Sequence, residues 1–436
     1  MPGRRAAVAV VGGGITGLDL AYRLTRRGHR VTLFEKDAQL GGLAGSFDLH
    51  GRRLEKFYHF ICRPDAPYFE RLKDLGLLPR LRWRRTRMGY YLHGRFYDFS
   101  TPWSLLKLDQ LSLAGKLRYG LNVLRSRLRR DWSELEDRPA DRWLRSEIGD
   151  EAYDLLWSSL MELKFQQYAP QISAAWLWTR IQRIAASRRL MLFEELGYLD
   201  GGSDILVEAL RLAFEAAGGT IRTRHAVRDL VVRSGRVAGV VTGAGEQRFD
   251  AVLSTVPLQL AARWPALPAE LRSSYLAIAN LGVICSILVL DRPLTDVFWL
   301  SINDAKVPLA GAIEYSNLNP LGGLHVVYVP EYLPAGHPRF TLGARVILDE
   351  HIAHLARVRP EFNAGRVVDA HLFRAELSQP VYTTGFTRIL PPLTTALGGF
   401  YAADTSHFFP NDRSIAESIA LAGRLERTFL NDDSGH

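Results

Sequence analysis

The chain passes from a short apolar strand, Ala7, Val8, Ala9, Val10, Val11, directly into Gly12, Gly13, Gly14, Ile15, Thr16, Gly17. A valine-rich run that stops on glycine is the pattern of a buried parallel strand feeding a helix. Gly12 permits the tight turn, and Gly14 lets bare backbone approach a pyrophosphate. Gly17 lets the helix pack on the strand, while the first turn, with Ile15 and Thr16, aims its amides at the phosphates. Leu18, Leu20, Ala21 and Leu24 carry helical spacing as far as Gly28, and residues 30–34 read as a second strand that delivers Glu35. A carboxylate there accepts hydrogen bonds from a ribose hydroxyl and disfavours a 2′-phosphate, hence NADP. Strand, helix, strand and acid fall in register, so the chain is α/β (α+β overall) and opens on a dinucleotide-binding unit.

NAD and FAD share this much, and the segment after Glu35 and Lys36 separates them: Gly41, Gly42, Leu43, Ala44, Gly45, Ser46. This extension resembles the double-glycine segment of flavoproteins of the amine oxidase and protoporphyrinogen oxidase superfamily, which lies beside the FAD pyrophosphate. Most of that family have Arg after the glycine pair, so Leu43 removes a guanidinium contact. The C-terminal block is similar to the family's C-terminal FAD-binding motif: Asp404 ends a strand and is expected on the ribityl chain, and a helix begins near Ser414 and Ile415. Its N-terminus would face the pyrimidine edge of the flavin and stabilise the negative charge of the reduced ring. An acid capping a helix would also account for these residues. Between the two blocks, the resemblance puts the backbone of Val227 against adenine. FAD is therefore the implied cofactor, with Gly12, Gly14, Ile15, Thr16, Gly17, Glu35, Lys36, Gly41, Gly42, Leu43, Ala44, Val227, Asp404, Ser414 and Ile415 as its expected contacts.

At 436 residues the chain is long enough for two or three units. The resemblance implies a discontinuous Rossmann-like FAD/NAD(P)-binding domain (1–80, 195–260 and 375–436), a helical cap or insert (81–194) and a second, substrate domain of mixed sheet (261–374). Two cysteines, Cys62 and Cys285, exclude a disulfide framework and a four-cysteine zinc site. His59 and Cys62 are spaced like half a metal site without a second half. His351 and His354 share a helical face but have no partner ligand, so they are expected on the surface, and no metal is expected. The first five residues leave no room for a signal peptide, and the apolar run 281–290 is far shorter than the roughly 20 residues that span a bilayer. The expectation is a cytoplasmic protein, peripheral at most on the inner face of the cell membrane.

The formal charge is +9, and the excess is local. Arg80, Arg82, Arg84, Arg85, Arg87 and Arg95 crowd one stretch. Leu113, Leu117, Leu121, Leu124 and Leu128 then make one helical stripe, flanked by Lys116, Arg118, Arg125, Arg127, Arg129 and Arg130. Such a segment is a core-facing helix with a solvated basic face, a helix at an anionic membrane surface (113–130) or a nucleic-acid contact. No nucleic-acid motif accompanies it, so no nucleic acid is expected.

Four residues stand out as chemical helpers. Lys56 and His59 follow the glycine pair on the strand that passes the flavin in the resembled family. Lys164 interrupts an apolar helical segment and either snorkels outward or reaches a cavity. Tyr382 lies in a segment leading back to the last flavin strand. A single dinucleotide fingerprint argues against a built-in NAD(P)H site. The expectation is an FAD-dependent oxidoreductase that passes hydride from a bulky, amphiphilic organic or lipid-linked substrate to flavin N5, with dioxygen or a quinone as acceptor. The alternatives are a non-redox sugar mutase resembling UDP-galactopyranose mutase, with the arginines of 80–95 holding a sugar diphosphate, and a flavin-binding scaffold without turnover.

Overall fold

The computed structural model describes residues 5–189 and 193–434; residues 1–4, on which the expectation about a signal peptide falls, lie outside them. The first sheet has five parallel strands in the order Thr220–Arg222, Arg30–Phe34, Ala7–Val11, Ala251–Ser254, Phe400–Ala402. Val8 lies opposite both Val31 and Ala251 at its centre. Helices Ile15–Arg26 and Ile415–Ser434 pack on each other, and Ser203–Ala216 packs beside the first. Leu18, Leu206, Leu210, Leu421 and Leu425, all fully buried, join these helices to the sheet. Both segments that resemble FAD motifs thus meet at the carboxyl ends of the parallel strands on either side of Ala251–Ser254, where open α/β sheets bind ligands.

A second sheet has seven strands in the order Val367–Pro380, Asn280–Leu290, His325–Pro334, Gly311–Glu314, Trp299–Asn303, Met88–Leu92, Arg95–Asp98. All eleven residues of Asn280–Leu290 are buried, in keeping with a run that is apolar apart from Asn280 and Ser286. Pairing is antiparallel except where Trp299–Asn303 runs parallel to Met88–Leu92.

Residues 81–98, assigned above to a helical insert, are instead three strands: Leu81–Arg85 pairs with Phe193–Leu199, and the other two extend the seven-stranded sheet. The reason is period-two alternation. Leu81 and Trp83 turn inward while Arg82 and Arg84 turn to solvent, so the arginine run is the outer face of a strand.

The insert proper is helical from Pro102 onward and is centred on Ala174–Ala186, whose Trp176 and Trp178 are buried. Leu113–Leu128 packs on that helix, the Trp178 Nε1–H donating to the Ser126 carbonyl at 3.1 Å, while Gly115, Asn122 and Ser126 are its buried residues and Gly115 faces Leu111 and Glu151. Small residues let the two helices approach closely, so the leucine stripe points away from the protein. Fully burying one leucine is worth about 1.5–3 kcal/mol; Leu113, Leu117 and Leu128 forgo most of it and Leu121 and Leu124 a lesser part.

His351 also departs from expectation. It is buried on the inner face of Ala344–Val358 with Ile347 and Leu355, and its Nδ1 lies 2.8 Å from the Ser286 hydroxyl. Helix spacing placed it on the apolar face, where a neighbouring strand supplies a polar partner. Among the described residues no helix is long and apolar enough to cross a membrane.

Candidate active site

The glycine loops form the floor of the site. Gly14 precedes the helix Ile15–Arg26, and a Cβ on Gly17 would sit 1.8 Å from the Gly12 carbonyl oxygen, so no larger residue fits there. The second loop lies against the first: the Gly41 amide donates to the Gly13 carbonyl at 2.8 Å, and a Cβ on Gly42 would come within 3.2 Å of the Gly14 Cα. Gly41 and Gly42 both adopt positive φ, which opens the short 3₁₀ turn Gly42–Ala44. Two stretches of side-chain-free backbone therefore share one wall. The buried Glu35 carboxylate fastens this wall by accepting from the Gly13 amide at 2.7 Å and the Asp37 amide at 2.9 Å. A carboxylate offers about four lone-pair sites, which leaves capacity for ribose hydroxyls.

The opposite end is built by the C-terminal block. Asp404 is buried and accepts from the Leu258 amide at 2.9 Å and the Ser406 amide at 2.8 Å, capping the turn Thr405–Phe408. Burial pushes its carboxyl up, but His407 and these amides outweigh it and hold it below the ordinary range. Ser414 caps the last helix, its hydroxyl accepting from the Glu417 amide at 3.1 Å. Capping thus operates at both residues, and both also line the cavity.

That cavity, about 1390 Å³, runs from the glycine loops to the seven-stranded sheet. Gly12, Gly14, Ile15, Thr16, Gly17, Glu35, Lys36, Gly41, Gly42, Leu43, Ala44, Val227, Asp404, Ser414 and Ile415 all line it, as do Lys56, His59 and Lys164. The bare glycine walls, the acid and the two helix N-termini fit a dinucleotide whose pyrophosphate lies at the loops. Lys36 turns outward to pair with Asp37 at 2.7 Å.

Tyr382 is the exception. It is buried beside the cavity rather than on its wall, its hydroxyl donates to the Thr405 carbonyl at 2.6 Å, and its ring packs on Phe386 and Phe409. Its segment returns to the flavin strand, but the side chain points into the core.

Lys164 reaches the cavity instead of snorkelling. Only 4% exposed, its Nζ lies 4.9 Å from the Trp176 ring centroid and 5.2 Å from that of Tyr332. Burial pushes its ammonium down to about 7, against the pull of Asp412 and with the help of Arg180 and Arg413. His59 is pushed down to about 4 by burial and by Arg413, so it is neutral at physiological pH. The Lys56 ammonium lies 5.9 Å from the Phe373 ring centroid.

Other wall residues were not picked out from sequence. Arg180 donates to Asp412 at 2.8 Å, Arg183 to Asp65 at 2.8 Å, and Arg413 to the Ser378 carbonyl at 2.7 Å. Tyr58, Trp299 and Tyr332 add aromatic surface. A usable signal existed for some of them: Arg180 and Arg183 stand three apart on one helical face, and Asp412 and Arg413 directly precede Ser414. By contrast, Arg80, Arg82, Arg84, Arg85, Arg87 and Arg95 are exposed, and none lines the cavity.

Fold and site together are those of a flavoprotein that holds its dinucleotide at the glycine loops. The chain belongs to the family of flavin containing amine oxidoreductases, whose model matches residues 15–407. It is 25% identical over 325 residues to the 15-cis-phytoene desaturase of Synechococcus elongatus, a match covering 66% of each chain, so it spans just under two thirds of that relative. A crystal structure from Exiguobacterium sp. 255-15, provisionally assigned as a protoporphyrinogen oxidase, superposes with a TM-score of 0.74 at 17% identity, covering 97% of this chain and 98% of the other. Reduced UDP-galactopyranose mutase gives 0.73 at 17% identity, covering 98% and 96%. These low-identity structures share the fold.

Proposed function

We propose that the protein oxidises a bulky, amphiphilic organic or lipid-linked substrate by hydride transfer to flavin N5, with dioxygen or a quinone as the acceptor. The single observation that carries this is the cavity itself: it continues from the glycine loops into a chamber walled by Trp299, Tyr332, Tyr58 and Phe298, with Lys164 set against Tyr332 and Arg180 against Trp299. Bound FAD supplies the hydride-accepting chemistry, and the protein supplies placement and charge. The aromatic wall excludes water from the apolar body of the substrate, and the cations meet its polar end. Lys164, poised near neutrality, takes up or releases a proton at Nζ at physiological pH. His59, held neutral, has a buried Nδ1 without a hydrogen-bond partner among the described residues and offers it to a bound group without adding charge to the wall, and Lys56 stands on the same wall. The relatedness to a phytoene desaturase supports a long apolar substrate.

A mutase reaction is the second possibility that the shared fold raises. In that reading the arginines of residues 80–95 hold the sugar diphosphate, and these lie outside the cavity.

Anaerobic mixing of the holoprotein with phytoene, protoporphyrinogen, a polyamine and a polyprenyl-linked sugar in turn tests the proposal. Bleaching of the flavin by one of them, reversed by air or a quinone, is the expected result. A flavin that none reduces, but that isomerises the sugar once reduced by dithionite, would overturn it.

A further inference from the structure

The outward face of the helix Leu113–Leu128 is the largest apolar anomaly of the surface. Leu113, Leu117, Leu121, Leu124 and Leu128 are 78%, 65%, 42%, 39% and 70% exposed, and on the adjoining short helix Pro102–Leu106, Trp103 and Leu106 are 67% and 54% exposed. Among the described residues these seven are nearly half of the fifteen exposed large apolar side chains, gathered into one short stretch of chain. Isolated exposed leucines need no explanation, whereas a continuous stripe marks a surface that something else covers.

Charge indicates what covers it. Between residues 102 and 130, seven basic residues stand against one acid, Asp109, which is already engaged by Tyr97 and Arg95. Arg118 is held by the carbonyls of Ser146 and Glu147, and Arg125 and Arg129 lie near Glu147 and Glu134. Arg127 and Arg130 have no acidic partner among the described residues and border the stripe. A leucine ridge with a tryptophan at one end and free cations along its margin matches acyl chains beneath anionic headgroups. A second copy docked face to face would bring the same cations together, so self-association is the poorer match.

We propose that Leu113–Leu128, with Trp103 and Leu106, is an in-plane lipid-binding surface that seats the protein on an anionic bilayer. The supporting helix Ala174–Ala186 carries Arg180 and Arg183 on its cavity side, so the lipid-facing helix is one layer from the cavity wall. That layer places a lipid-dissolved substrate close to the site. This last link rests on the amphiphilic-substrate proposal; the docking itself does not.

The test is co-sedimentation of the full-length, FAD-loaded protein with vesicles of phosphatidylglycerol and phosphatidylcholine, and with phosphatidylcholine alone. Wild type sediments with the anionic vesicles and about tenfold less with the neutral ones or in high salt. Leu117→Ser with Leu121→Ser, and separately Arg127→Gln with Arg130→Gln, each lose about tenfold in partitioning while keeping the wild-type flavin spectrum and Tm. Wild type left in the supernatant, or leucine variants that sediment like wild type, overturns the proposal. So does a concentration-dependent dimer that the leucine variant abolishes without any vesicle binding, which would assign the face to a second copy. No substrate takes part, so failure here is distinct from failure of the proposed reaction.

Discussion

Arg180, on the central helix of the insert, donates to the carboxylate of Asp412, just ahead of the C-terminal helix, at 2.8 Å. The bond closes the cavity between two segments far apart in the chain. Burial alone would raise the Asp412 carboxyl, but Lys164, Arg180 and Arg413 hold it well below the usual carboxylate range. Arg180, Arg413 and a partly protonated Lys164 around one anion leave this part of the wall net positive, which suits a substrate with a polar or anionic end.

Lys164 gives the clearest pH dependence. Its ammonium falls from 10.5 to about 7 in the folded protein. Between those values the unfolded chain binds the extra proton, so stability rises with pH across that window, and below it the cost of burying the charge is fully present. Lys164→Met is therefore expected to raise stability at about pH 6 by up to about 4 kcal/mol, with the gain shrinking toward about pH 10. Thermal unfolding at the two pH values checks this. In the same variant, flavin reduction by substrate should lose the pH step near neutrality.

Gly17→Ala forces a methyl onto the Gly12 carbonyl. Backbone cannot yield there as a side chain would, and a cost of about 2 kcal/mol or more is expected. The flavin-to-protein ratio after purification should fall to a small fraction of wild type.

Glu35→Ala leaves the Gly13 and Asp37 amides without their acceptor and removes the expected ribose contact. Each lost bond to a charged acceptor is worth about 1.5–3 kcal/mol, so titration of the apoprotein should show FAD affinity down by tenfold or more.

Tyr382→Phe and His59→Ala should separate. Among the described residues the Tyr382 hydroxyl bonds the Thr405 carbonyl alone, so its loss costs stability, about 1 kcal/mol, and leaves the flavin reduction rate near wild type. His59 lines the cavity, and its removal should slow flavin reduction about tenfold with FAD retained. Rapid-mixing reduction of the two variants side by side measures both.

What was legible in the sequence was local. Residues 7–45 announce their fold because strand, glycine turn, helix and acid are contiguous, and the block from Asp404 to Ile415 does the same at the other end. Facing was not legible. The leucines of Leu113–Leu128 show helical periodicity, yet periodicity identifies a stripe without saying which side meets the protein; the buried Gly115, Asn122 and Ser126 decide that, Ser126 by meeting Trp178 and Gly115 by facing Leu111 and Glu151. The arginines of 80–95 looked like a binding cluster because strand alternation was hidden by charge. The pairing of Arg180 with Asp412 is not legible, because only tertiary folding brings an insert helix to the C-terminal turn.

The central claim is a net oxidation, and the most direct measurement is the ratio of acceptor consumed to product formed during turnover. One equivalent of dioxygen or quinone consumed per two-electron oxidation of substrate is the predicted result. Product formed with only a catalytic amount of reductant and no acceptor consumed would contradict it.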